Sequence, residues 1–390
     1  MNRLWNIFPP GDKWVFLAWI ALGLFSLAVL WSVTEPIVGP YDQSDPGVNK
    51  EVFYRQAVWL VIGFVAMAIA ARLPLRYLDQ VAVPVFLFTV VLLALILVAG
   101  PKIGGARRWL VIGPLRLQPS ELAKVAFILV NANLLARSAE EGRSLAATAL
   151  SFGVMAVPMM LVLREPDLGT SLVFLAVWVG MVFWYGIPGI LLLGSGSAVL
   201  SAVIMLYSES QKFAAPWAVY ILILIAILYF IDMNILSKVV LLFINVGFGL
   251  GIPFFWGKLK PYQQERILTF FDPSRDEFGT GYQAIQSKVA IGSGGLFGTH
   301  YLQGTQKGLA FLPERHTDFI FSVVGEELGF VGAIALLGLF LLILLRGIDC
   351  AGSARRPFAS FVAVGVVSSF TFHVVVNVSI TTGLLPVTGL

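Results

Sequence analysis

Charge is what this sequence has least of. Asp, Glu, Lys and Arg make up 12% of its 390 residues, against roughly 25% in a soluble domain, and so few charges cannot build a water-exposed surface. The 58% of hydrophobic residues and the mean hydropathy of +0.87 point the same way, because helices bathed in lipid can be apolar on every face. A single cysteine, Cys350, excludes an intramolecular disulfide framework and a four-cysteine zinc site and suggests no redox role. Three histidines without clustered ligands speak against a metal site. The net charge of +4 and the pI near 9.1 do not signal nucleic acid, because the basic residues are scattered over short loops rather than gathered in one soluble domain. That distribution suits an anionic lipid or a lipid diphosphate.

What is there is a series of apolar runs, each about 17 to 25 residues or slightly shorter. They lie at Trp14 to Val33, Gln56 to Ala71, Val81 to Ala99, Leu122 to Ala136, Leu145 to Leu163 and Leu168 to Tyr185. The series continues with Pro188 to Tyr207, Trp217 to Ile231, Val239 to Trp256, Phe319 to Leu345 and Phe358 to Val376. Eleven transmembrane helices in a single all-α, polytopic membrane domain over 1–390 are the expectation. The first run is long, lacks a small-residue cleavage site and is followed by many equivalents, so it reads as a span rather than a signal peptide. Trp14, Trp31, Trp59, Trp184 and Trp217 near run ends read as interfacial anchors.

Lysine and arginine in short loops set orientation. Arg3, Lys13, Arg72, Arg76, Arg137, Arg143, Arg346, Arg355 and Arg356 fall on one side, which is therefore expected to be cytoplasmic, N-terminus included. Two segments on the opposite side are also basic: 100–121, with Lys102, Arg107, Arg108 and Arg116, and 257–318, with Lys258, Lys260, Arg266, Arg275, Lys288, Lys307 and Arg315. Cations there suit an anionic substrate.

Residues 257–318 form one long extracytoplasmic loop, and long ordered loops carry function. Asp272, Asp276 and Glu277 lie in irregular backbone set by Pro273, Gly279 and Gly281, which can aim a carboxylate; the residues alone do not choose among the three. The glycine cluster Gly292-Ser-Gly-Gly295 reads either as a phosphate cradle or as a re-entrant turn, and matches no nucleotide fingerprint. His316 beside Asp318 can form a general-acid pair. Glu326 and Glu327 open the following span, where acids are functional candidates or partners of Arg315 or Lys124.

The other basic loop joins Arg107, Arg108 and the interfacial Trp109 to the helix start Gln118-Pro-Ser-Glu121-Leu-Ala-Lys124, where Gln118 or Ser120 can cap and Glu121 complements the helix dipole. Lys124 sits deeper. It needs an acid such as Glu121 or Glu326, or a phosphate. In Arg164-Glu-Pro-Asp167, Asp167 can cap the next helix.

These stretches together resemble the shape, elongation, division and sporulation family of membrane glycosyltransferases. Gly105-Ala-Arg-Arg-Trp109, Gln118-Pro-Ser-Glu-Leu-Ala-Lys124, Pro166-Asp-Leu-Gly-Thr170, Gly279-Thr-Gly-Tyr-Gln283, Gln286-Ser287, Ile291-Gly-Ser-Gly-Gly295 and Leu312-Pro-Glu-Arg-His-Thr-Asp-Phe-Ile320 occur in the family's order, and Arg315 is similar to the elongation branch. There are two departures. Two spans within 208–256 are extra, so the chain reads as a family core with a two-helix insertion; and the family pattern continues beyond Leu385-Pro386-Val-Thr-Gly389 into a last helix, so the ten-helix core is expected to lack it here.

The resemblance implies polymerisation of lipid II into peptidoglycan strands at the bacterial inner membrane during elongation, with release of polyprenyl diphosphate. Its register places the catalytic aspartate at Asp276. It implies diphosphate or sugar contacts from Arg107, Arg108, Trp109, Lys124, Arg266, Gln286, Ser287 and Lys288, with Glu121, His316, Asp318 and Glu326 in support. It also implies a class B penicillin-binding transpeptidase within the elongation complex as partner. No organic cofactor follows, and a divalent cation, magnesium or manganese, on the diphosphate stays open. A lipid II flippase and a non-catalytic scaffold are the alternative readings.

Overall fold

The computed structural model describes residues 12–34, 50–102, 107–113, 115–187, 189–210, 213, 215–258, 264–265, 268–269, 280–304 and 317–386. Each apolar run is a helix: α1 (Lys13–Thr34), α2 (Glu51–Ala70), α3 (Leu75–Ala99), α4 (Pro119–Glu140), α5 (Leu145–Arg164), α6 (Leu168–Tyr185), α7 (Gly189–Ser210), α8 (Ala215–Phe230) and α9 (Ile235–Trp256), then α11 (Ile320–Ser353) and α12 (Pro357–Thr381). Between them α10 (Thr280–Ser293) is shorter and more polar. Among the described residues nine helices are long and apolar enough to cross a membrane; α7 and α8 carry shorter apolar stretches. The protein is a multi-pass, all-α membrane protein. Strands β1 (Leu110–Ile112) and β2 (Leu115–Leu117) make a small antiparallel hairpin with Val111 opposite Arg116, where the sequence reading had only a loop.

The chain divides into two compact units, one of residues 1–185 and 283–390 and the other of residues 186–282. The smaller unit holds α7, α8 and α9, the last two being the pair of helices within 208–256. Its interior combines an apolar cluster of Leu224, Leu228 and Leu241 with a polar network. Tyr220 Oη donates to Asn245 Oδ1 (2.8 Å), Asn245 Nδ2 donates to Ser197 Oγ (2.9 Å), and Ser201 Oγ, which accepts from Trp217 Nε1 (3.0 Å), donates to the Asn245 carbonyl (2.8 Å). Hydrogen bonds across helices hold membrane proteins together where no hydrophobic drive is available between apolar surfaces.

In the larger unit α4 is the central post. It is the least apolar of the nine spans and the most buried, and the two facts have one cause: its neighbours are α3, α5, α6 and α12 rather than lipid, so polar side chains find partners. Ser151 Oγ donates to Asn131 Oδ1 (2.5 Å) and accepts from Trp178 Nε1 (3.0 Å), while Asn133 Nδ2 donates to Asp79 Oδ1 (2.5 Å). At Gly365 of α12 an added Cβ would lie 2.7 Å from Ile128 and 3.1 Å from Met181, so the backbone there approaches α4 and α6 directly. By contrast α2 buries no residue and shows its side chains outward.

Helix α11 has 34 residues, about 51 Å at 1.5 Å per residue, more than a bilayer core requires. It breaks at Gly329, whose φ of 64° and ψ of −164° are not helical. The freed N–H groups are recovered by the turn after α10: Phe330 N donates to Gly295 O (2.9 Å) and Val331 N to Leu296 O (3.1 Å), while Glu326 O accepts from Thr299 N (2.9 Å). The glycine cluster is thus an ordered turn packed backbone to backbone on α11. Its Gly295 and Leu296 carbonyls are spent on α11 and its Gly294 carbonyl on Gly298 N, so the cluster serves the fold as a turn.

Candidate active site

Helices α1, α2, α4, α11 and α12 enclose a cavity of about 860 Å³. Most of its wall is apolar, including Trp19, Phe25, Leu60, Leu337, Phe340 and Phe370, and its polar groups are Glu121 and Lys124 from α4, Asp318 ahead of α11, and Ser369, His373 and Asn377 from α12. Pro119 starts α4 and Glu121 sits in its first turn, so the 3.6-residue period stacks Lys124 one turn below Glu121 on the same face. Lys124 Nζ is 2.9 Å from Glu121 Oε2 and 3.4 Å from His373 Nε2. The lysine is 8% exposed and the glutamate side chain 55% exposed, which puts the cation inside and its carboxylate partner at the mouth. Of the two acids the sequence offered Lys124, Glu121 is the one observed at ion-pair distance.

Helix α10 packs on α11 and α12. Ser287 is fully buried, its Oγ 2.5 Å from Ser322 Oγ and donating to the Thr381 carbonyl (2.6 Å), which ties α10 to α11 and α12. Ala290, Phe319, Val376 and Ile380 pack together there. Ser287 therefore braces these helices and does not line the cavity, Gln286 is half-buried, and Lys288 is exposed with its ammonium end over Gly383, where α12 ends and a cation suits the helix dipole. Behind the break in α11, Glu326 and Glu327 are buried, and Ser32 of α1 donates to the Glu327 carboxylate at 2.6 Å.

The two arginines of the basic loop turn to backbone. Arg107 Nη1 donates to Leu97 O (3.0 Å) and to Val98 O, satisfying the last carbonyls of α3. Arg108 grips the turn between α5 and α6, donating to Glu165 O (2.9 Å) and Pro166 O, with Asp167 Oδ2 3.8 Å away. Trp109 is half-buried. Asp167 Oδ1 caps α6 through Thr170 N (3.1 Å), as read from the sequence, whereas neither candidate caps α4: Gln118 reaches instead to Asp167 Oδ2 (3.4 Å). Glu165 is 1% exposed, and neither carboxylate oxygen has a partner among the described residues. Burial pushes its carboxyl up to about 8, the Asp167 charge adds to the rise, and Arg108 opposes it.

The structure brings Glu121, Lys124 and Asp318 to one cavity, and sets Ser287 and Gln286 in α10, outside its lining. Asp276, Arg266 and His316, together with Asp272, Glu277 and Arg315, lie outside the described residues. Two site groups were missed in the sequence: Glu165, and His373, which stands alone in an apolar run where an ionisable side chain is a signal by itself. Among the described residues no three His, Cys, Asp or Glu side chains gather as metal ligands.

Comparison with known proteins adds the following. The family model of the FtsW, RodA and SpoVE cell cycle proteins matches residues 12–217 and 211–390. The peptidoglycan glycosyltransferase MrdB of Escherichia coli K12 is 33% identical over 378 residues, 97% of this chain and 86% of that one. The peptidoglycan glycosyltransferase RodA of Treponema pallidum is 32% identical over 95% of this chain and 89% of its own length. A chain of a peptidoglycan synthase complex that coordinates polymerization and crosslinking superposes with a TM-score of 0.66 at 32% identity, covering 98% of this chain and 90% of that one. The rod shape determining protein RodA of Thermus thermophilus gives 0.58 at 27% identity, over 98% and 88%. With the family model spanning nearly the whole sequence and relatives above 30% identity along it, this chain belongs to the FtsW/RodA/SpoVE family of cell cycle proteins.

Proposed function

We propose that this chain is a peptidoglycan glycosyltransferase that polymerises lipid II at the cytoplasmic membrane. The observation that carries this is the cavity of about 860 Å³, apolar along its length, with one buried ammonium at its polar part. A polyprenyl tail suits the apolar walls, and the diphosphate suits Lys124, whose charge is stronger in a low-dielectric surround. In the reaction the 4-hydroxyl of one lipid-linked disaccharide attacks the anomeric carbon of the growing lipid-linked strand. The glycosidic C–O bond forms, the bond to the diphosphate oxygen breaks, and the hydroxyl proton passes to a base, for which Asp276 has the family register. The leaving polyprenyl diphosphate takes the bonding electrons, and Lys124 offsets the charge. Arg107 and Arg108 hold the neighbouring helix ends and the loop that carries Trp109, rather than serve as the main diphosphate clamp.

The relative solved in a complex that couples polymerization to crosslinking supports a transpeptidase partner with this chain. The loop cations place the N-terminus in the cytoplasm and residues 257–318 outside. The test is polymerisation of fluorescent lipid II by the purified chain with its class B transpeptidase. Wild type should form glycan and a folded Asp276→Asn should lose at least about 100-fold, the low end for removal of a general base. Equal activity moves the base to Asp272 or Glu277; no polymer from a verified complex favours a flippase or scaffold. Repeating the assay with chelator and with added magnesium or manganese settles whether a divalent cation assists the diphosphate.

A further inference from the structure

We propose that His373 is a positioning residue that holds the Lys124 ammonium turned into the cavity, in the orientation a polyprenyl diphosphate needs. This rests on the reading of the cavity as the lipid II site. The tautomer follows from the geometry. His373 Nδ1 lies 2.7 Å from the Ser369 carbonyl, an acceptor only, so Nδ1 carries the proton and Nε2 presents its lone pair. That lone pair faces Lys124 Nζ at 3.4 Å.

An ammonium has three donors. One goes to Glu121 Oε2 and a second toward His373 Nε2, and the third has no partner among the described residues, leaving it for an oxygen in the cavity. A second carboxylate in place of His373 would hold the lysine equally well but would give the Lys124–Glu121 pair a net negative charge and repel a diphosphate. Neutral imidazole fixes the direction and adds no negative charge. The other charged groups lining the cavity are Glu121, paired with Lys124, and Asp318; α1 and α2 contribute Trp19, Ser26 and Leu60 and no charge. His373 is itself held in place: α12 approaches α4 directly at Gly365 and is tied to α10 through Thr381.

The test uses the purified chain with its transpeptidase. Binding of farnesyl diphosphate, with farnesol as control, is measured beside the KM and kcat for lipid II, in the parent, His373→Phe and His373→Gln. Gln places an acceptor oxygen close to the position of Nε2. The expected result is about a tenfold weaker Kd for farnesyl diphosphate and a similar rise in KM for His373→Phe with kcat within about threefold, and values close to the parent for His373→Gln. A His373→Phe protein that binds and polymerises like the parent overturns the inference. So does a folded His373→Gln that loses as much as His373→Phe, or a parent that binds farnesyl diphosphate no better than farnesol. A parent that binds the diphosphate with this variant pattern yet makes no polymer sinks the polymerase reading and leaves the positioning role standing.

Discussion

At the scale of single residues, Glu165 makes the sharpest prediction. Its carboxyl is buried without a partner among the described residues and pushed up to about 8, above the unfolded value of about 4.3. A carboxyl whose folded pKa is raised binds more protons in the folded state, so its share of stability is intact below about pH 4.3 and is lost as pH rises towards 8. Thermal unfolding of the detergent-purified protein should therefore show parent and Glu165→Gln converging at low pH and Glu165→Gln melting higher at pH 9; a gap that does not change with pH would contradict the assignment. Arg108→Lys tests the latch on the same turn. Lysine cannot reach two carbonyls and a carboxylate with one planar fork, so a loss of about 1–2 kcal/mol in stability is expected, with KM for lipid II little changed. If KM instead rose tenfold with stability intact, Arg108 would belong to the diphosphate site. Lys124 and Glu121 were legible in the sequence as a pair one turn apart. His373 was not read from it, because nothing in the chain marks which residue 249 positions later shares a cavity with Lys124.

At the scale of elements, the break in α11 decides where the buried acids sit. Gly329 has a backbone conformation that other residues avoid, and a Cβ on Gly298 would lie 2.1 Å from the Glu327 carbonyl. Either Gly329→Ala or Gly298→Ala should uncouple the turn after α10 from α11 and abolish polymerisation, while α11 still spans. Hydrogen exchange at Phe330 and Val331, whose amides donate into that turn, should rise in the variants. Unchanged exchange with unchanged activity would show that the turn does not need its glycines. The apolar runs announced every long helix. They did not announce the break, because Glu326 and Glu327 mark the segment as polar without marking its backbone, and a glycine within a membrane span is compositionally ordinary.

At the scale of the whole molecule, the proposed orientation is open to a direct check through the single exposed Cys350 near the end of α11. A membrane-impermeant maleimide should leave it unlabelled in intact spheroplasts and label it after lysis, whereas a cysteine at position 288 should react in both. Labelling of Cys350 in intact cells would invert the topology. Membrane class, span positions and the family pattern were determined by the sequence alone, since hydropathy and motif order are one-dimensional quantities. Only the tertiary structure decided that the glycine cluster braces a helix, that the loop arginines serve helix ends, and that α4 is the most buried of the spans. Each of those depends on which backbone carbonyl or cavity lies opposite a side chain, and that is fixed by how helices far apart in sequence pack.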